Sequence, residues 1–135
     1  MGGSMPSIPS LVFAFGLSLL GGSRQPETRP SSNEIAFVET RIRLPDDAPG
    51  PLSSFERYYA WTIGDDGKRV IYGELISVDL LGANRPPDRI GRFHAIDEKD
   101  MPSVANGGCG VITFYLDLKS GRRPALYCNA VGASP

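Results

Sequence analysis

No Lys, Arg, Asp or Glu occurs before Arg24. Inside that uncharged stretch lies an apolar run, Leu11 to Leu20. Ten residues in a helix span about 15 Å, half the hydrocarbon core of a bilayer, so the run is too short for a membrane span. Its length suits the h-region of a signal peptide, and Gly21, Gly22 and Ser23 supply small residues for cleavage. Residues 1–23 are therefore expected to be an export signal. The rest of the chain would then fold in a secreted or periplasmic, disulfide-permissive space. No basic side chain precedes the run, which departs from the usual n-region, and Met5 is an alternative start. The competing reading of the run is an ordinary buried apolar segment.

The chain beyond Ser23 has room for one domain. Residues 24–34 are polar and Pro-rich and predict a flexible linker. Residues 35–135 are expected to form a single α+β domain. The net charge is -1, from 14 basic and 15 acidic residues that alternate in sign along the chain. A nucleic-acid binder carries a basic stripe, so that partner is not expected. Neither a polybasic membrane patch nor a membrane span in the mature chain is expected.

Strand patterns dominate the domain. From Ile35 to Leu44, Ala36, Val38, Thr40, Ile42 and Leu44 fall on one face, which predicts a half-buried strand. Pro51, followed by Leu52, Phe55 and Tyr59 at helical spacing, predicts one short helix. Asp66-Gly67 predicts a two-residue hairpin turn. That turn sets Ile63 opposite Val70, Trp61 opposite Tyr72 and Tyr59 opposite Glu74. A short strand is expected at Arg92–Ile96. A last hairpin joins Val111–Leu118 to Ala125–Val131, with Ile112, Phe114, Leu116 and Leu118 sharing a face with Leu126, Cys128 and Ala130. The fold class is thus α+β: one short N-terminal helix packed on a curved, mainly antiparallel sheet of four to five strands. That layout resembles cystatin-like and NTF2-like domains, a likeness of fold that implies no function.

Cys109 and Cys128 are the only thiols. An even count in an exported chain predicts a disulfide. The expected hairpin opposes it, because it sets Cys128 against Phe114, about 17 Å from Cys109 at strand rise. The two meet only if Gly107, Gly108 and Gly110 let the chain fold back. Otherwise they are buried free thiols.

No catalytic, metal-ligand or phosphate-binding motif is present, and no cofactor is expected. A Cys109–His94 nucleophile pair oriented by Asp97 is conceivable but has no local support. Glu74 is the most informative residue, since it interrupts the apolar face of Val70, Tyr72, Ile76 and Val78. A carboxylate there must reach water, find a donor or hold a proton. Tyr59, Trp61, Tyr72 and Glu74 are therefore the candidate ligand-binding residues, with Glu74 as polar anchor on an aromatic-lined sheet. The alternative is that Glu74 merely sits at the rim. The favoured expectation is a non-catalytic domain that binds an unidentified small ligand or protein. The other is a small enzyme using Glu74 or His94 as general base in a sheet-lined cavity.

Overall fold

The computed structural model of the chain describes residues 28–81 and 91–130. The expected export signal, the start of the expected linker, residues 82–90 and Val131 at the end of the expected last strand lie outside these residues.

The first element is a helix, α1, over Ser32–Arg41, where the period-two pattern predicts a strand. It begins inside the polar stretch expected to be a linker. Ser31 is its N-cap and accepts from the Glu34 backbone N–H, while the Glu34 carboxylate accepts from the Ser31 N–H. Such a reciprocal cap contributes about 1 kcal/mol. Glu34 in the first turn and Arg41 in the last suit the helix dipole. Ile35 and Val38 are buried, and Ile42 packs partly behind them. A helix this short is marginal alone, so this apolar stripe must hold it to the sheet.

The helix expected after Pro51 is one 3₁₀ turn, Leu52–Ser54. The aromatic-rich segment behind it, Phe55–Ile63, is strand β1. Helix and strand are thus exchanged relative to what the periodicity predicts. The remaining strands are β2 (Arg69–Ser77), β3 (Phe93–Ala95), β4 (Val111–Leu116) and β5 (Leu126–Cys128). They form one sheet in the order β3-β1-β2-β4-β5. β3 runs parallel to β1, and the other neighbours are antiparallel. Among the described residues the architecture is α+β, one helix with an open, mostly antiparallel sheet.

The β1–β2 turn is one residue longer than predicted. Gly64 donates to the Lys68 carbonyl at 2.7 Å and Gly67 donates to the Gly64 carbonyl at 2.9 Å. A two-residue turn would need positive φ at Asp66 as well as Gly67. The three-residue form needs it only at Gly67, whose φ is +79°. The pairing becomes Ile63 with Arg69, Trp61 with Ile71 and Tyr59 with Gly73. Because side chains alternate, that one-residue difference turns β2 over relative to β1.

One face of the sheet carries Phe55, Tyr59, Ile71, Leu75, Ile112, Phe114 and Leu116, and α1 closes the core through Ile35 and Val38. Gly73 is essential to this packing. A Cβ there would lie 2.3 Å from the Phe114 ring, which reaches over β2 to meet Tyr59 at a centroid distance of 6.1 Å. Glu39 of α1 adds a polar tie. It accepts from the Tyr59 hydroxyl at 2.6 Å and from the Arg57 guanidinium. Arg57 also donates to the Gly91 carbonyl at 2.7 Å. Burial, reinforced by the Glu39 carboxylate, holds the Tyr59 hydroxyl far above its ordinary range, so it remains a donor.

The last hairpin keeps the predicted faces but pairs two residues away, with Ile112 opposite Cys128 and Phe114 opposite Leu126. That shift, and a 3₁₀ turn at Gly108–Gly110, bring Cys109 to Cys128 as a disulfide with Cα atoms 4.5 Å apart. Gly107 and Gly108, at φ +96° and +55°, allow the fold-back that the glycines around Cys109 suggest.

Candidate functional site

Tyr59, Trp61, Tyr72 and Glu74 do not share a face. Tyr59 and Trp61 lie under α1, Tyr59 fully buried and committed to Glu39. Arg69 stacks on Trp61 at 4.0 Å, and the buried indole N–H finds no acceptor among the described residues. Tyr72 and Glu74 point to the opposite face. The hairpin register separates the pairs.

On that second face the pairings align His94, Tyr58, Glu74, Thr113 and Tyr127 in one row across all five strands. This row is polar, and it runs beside the apolar pair Ile76 and Val111. Glu74 is 5% exposed. Its Oε2 accepts from the Thr113 hydroxyl at 2.9 Å and, more weakly, from the Tyr72 hydroxyl at 3.5 Å. Its Oε1 has no hydrogen bond among the described residues. Burial raises the Glu74 carboxyl above the usual range, and the two hydroxyls only partly oppose that. Burial and the neighbouring carboxylate push the Tyr72 phenol up to about 12.

Glu74 lies on a cleft of about 390 Å³ that is also lined by Tyr72, Thr113, Glu98, Asn129 and the segment Met101–Val104. Two tethers fix that segment. Thr62 donates to Glu98 at 2.6 Å, and the Asn129 side chain donates to the carbonyls of Val104 and Asn106 at 2.6 and 2.8 Å. Tyr72 stacks on Tyr115 at 5.0 Å, which stiffens the cleft's aromatic wall.

At the other end of the row, His94 Nε2 lies 2.9 Å from Oε1 of Glu56, a carboxylate with no exposed surface. The Arg92 backbone N–H donates to the second Glu56 oxygen, and the imidazole stacks on Tyr58 at 4.8 Å. The ring is thus fixed and has a proton partner. The parallel β1–β3 pairing makes this dyad across 38 residues of sequence. No local signal betrays it, because the two residues meet only through the β1–β3 pairing. The conceived Cys109–His94 pair is ruled out as drawn, since Cys109 is disulfide-bonded and Asp97 pairs with Arg29. Among the described residues, no group of three or more His, Cys, Asp or Glu is placed to hold a metal ion. No helix among them is long and apolar enough to cross a membrane. Compared with protein-family models, curated proteins and solved structures, the chain matches none.

Proposed function

We propose that this chain is a small exported domain, secreted or periplasmic, that binds a small ligand without catalysis in the cleft over Glu74. One observation carries this reading: a nearly buried carboxylate lining an open cleft, with one oxygen held by Thr113 and the other facing no protein donor among the described residues. That oxygen keeps contact with water, and a ligand donor entering the cleft would take the water's place. The cleft volume falls in the usual range for small-molecule sites. The disulfide supports the oxidising compartment. The helix-on-sheet arrangement supports the cystatin-like or NTF2-like comparison only as a layout.

Thermal unfolding of the full chain against a library of small metabolites tests it. A ligand that binds the native state raises Tm by mass action, and the gain should shrink in Glu74→Gln. No gain with any class would sink the small-ligand form and favour a protein partner. Intact mass of the native protein, with and without reductant, tests export and the disulfide together.

A second reading, a small enzyme with His94 as general base, draws on the Glu56–His94 contact. It predicts turnover of some ester, amide or phosphoester substrate that His94→Ala abolishes. A protein inert across such a panel would dispose of it.

A further inference from the structure

We infer that the cavity beside Trp61, on the α1 face of the sheet, takes a small organic carboxylate with an apolar body. This is a second site, on the face opposite the cleft over Glu74. Trp61 pairs with Ile71, and Arg69 stands two residues from Ile71 along β2, on the same face. That diagonal lets the Arg69 guanidinium lie over the indole at 4.0 Å. A cavity of about 550 Å³ opens beside the pair, with Leu118 as its other apolar surface. Its volume lies in the small-molecule range. Among the described residues, the Trp61 indole N–H is the one buried side-chain nitrogen or oxygen without a partner. A buried unpaired donor is costly, and an arriving acceptor removes the cost. Arg69 is itself exposed, so its side chain can turn from the ring to a ligand without moving the strand. That turn opens the indole edge to the same ligand.

The charges around the cavity select the acceptor. Lys68, Arg69 and Lys119 line it against two acids, Glu34 and Asp117. Both acids already face backbone donors. Glu34 accepts from the Ser31 N–H at 2.8 Å, and Asp117 accepts from the Lys119 N–H at 2.9 Å. Lys68 and Lys119 form no ion pair among the described residues. Their ammonium groups therefore have N–H donors to give to an anion. A carboxylate matches the planar guanidinium fork with its two oxygens and keeps lone pairs for the indole N–H. Its apolar body then covers the ring face that Arg69 leaves, against Leu118. A bare inorganic anion would meet the charges and leave that apolar surface in water. An amine would meet three cations.

Trp61 is the only tryptophan in the chain, so its fluorescence and its single indole N–H resonance both report on this cavity. The full, oxidised chain is titrated at neutral pH with phenylacetate, 2-phenylethylamine, 2-phenylethanol and inorganic phosphate. Phenylacetate should change the fluorescence saturably and move the indole N–H resonance. The alcohol should bind about ten-fold more weakly, and the amine and phosphate should leave the resonance in place. Lys68→Gln with Lys119→Gln in one chain alters two exposed side chains. It should weaken phenylacetate about ten-fold and leave the alcohol unaffected. Phenylacetate binding that does not move the indole N–H, or that the double variant does not weaken, would overturn the site. Shifts confined to Thr113 and Asn129 would place the ligand in the other cleft and overturn it equally. Amine or alcohol binding as tight as that of phenylacetate would overturn the anionic class. Phosphate moving the resonance as phenylacetate does would overturn the need for an apolar body. Binding by none of the four would overturn the proposal.

Discussion

Replacing Gly73 with alanine tests the core packing most sharply, because two effects of opposite sign compete there. In an open strand, Gly→Ala is favourable by about 0.4–1 kcal/mol, through the lost freedom of the unfolded chain. Here the added Cβ would stand 2.3 Å from two atoms of the Phe114 ring and 2.9 Å from a third. Ordinary carbon contacts are about 3.5–4.0 Å, so the ring must retreat by more than about 1 Å. It has little room to do so. Phe114 packs against Tyr59, and Tyr59 is pinned through its hydroxyl to Glu39. Overpacking of this kind costs about 1–3 kcal/mol, and the restrained ring places Gly73→Ala toward the upper end. Net of the entropic gain, destabilisation by about 2 kcal/mol is expected. With a urea m-value of about 1–2 kcal/mol/M, the midpoint should fall by about 1–2 M. Shrinking the opposing ring with Phe114→Leu should recover part of the loss, so the double variant should be more stable than the sum of the singles implies. An unchanged or raised midpoint for Gly73→Ala would refute the claim that β2 needs a glycine for the rings to meet.

The Glu74 carboxyl is raised in the folded chain, so the native state holds a proton that the unfolded state releases first. Its penalty is absent below the unfolded carboxylate range and grows as pH rises through and above it. Glu74→Gln should therefore flatten the fall in stability with rising pH, measured by urea midpoints from about pH 4 to 8; a steeper slope in the variant would reverse the assignment. Reducing the disulfide, whose cysteines are 19 positions apart, should cost about 3 kcal/mol of stability, read as a drop in Tm with reductant. A loss under about 1 kcal/mol would mean that the turn before β4 is held by other contacts. Ser31→Ala should cost about 1 kcal/mol and speed hydrogen exchange in the first turn of α1. Unchanged exchange there would show that the cap contributes nothing.

The face assignments of the last hairpin were legible because its apolar residues fall on one parity. Shifting the pairing by two residues leaves that parity intact. The α1 and β1 regions were not legible from periodicity, since each supports two periods. Ile35, Val38 and Ile42 stand at i, i+3 and i+7, while Val38, Thr40 and Ile42 alternate. The deciding signal was polar: Ser31 and Glu34 form a capping box immediately ahead of the apolar residues. β-branched and aromatic enrichment at Phe55–Ile63 pointed to a strand just as directly. Glu74 could be singled out because a charge interrupts an apolar face. Its surroundings could not be, because Thr113, Glu98 and Met101–Val104 come from distant parts of the chain and meet only through the sheet order.

Cys128 and Asn129 are adjacent, and each secures a different stretch of chain. The sulfur is bonded to the turn ahead of β4, while the neighbouring amide clasps the carbonyls of Val104, on the cleft wall, and Asn106. Opening the S–S bond would leave that amide at the end of a three-residue strand, held by its backbone pairing and the packing of Leu126. The crosslink and the side-chain clasp are thus joined through one peptide unit, so a change of oxidation state at the sulfurs is transmitted directly to one wall of the cleft.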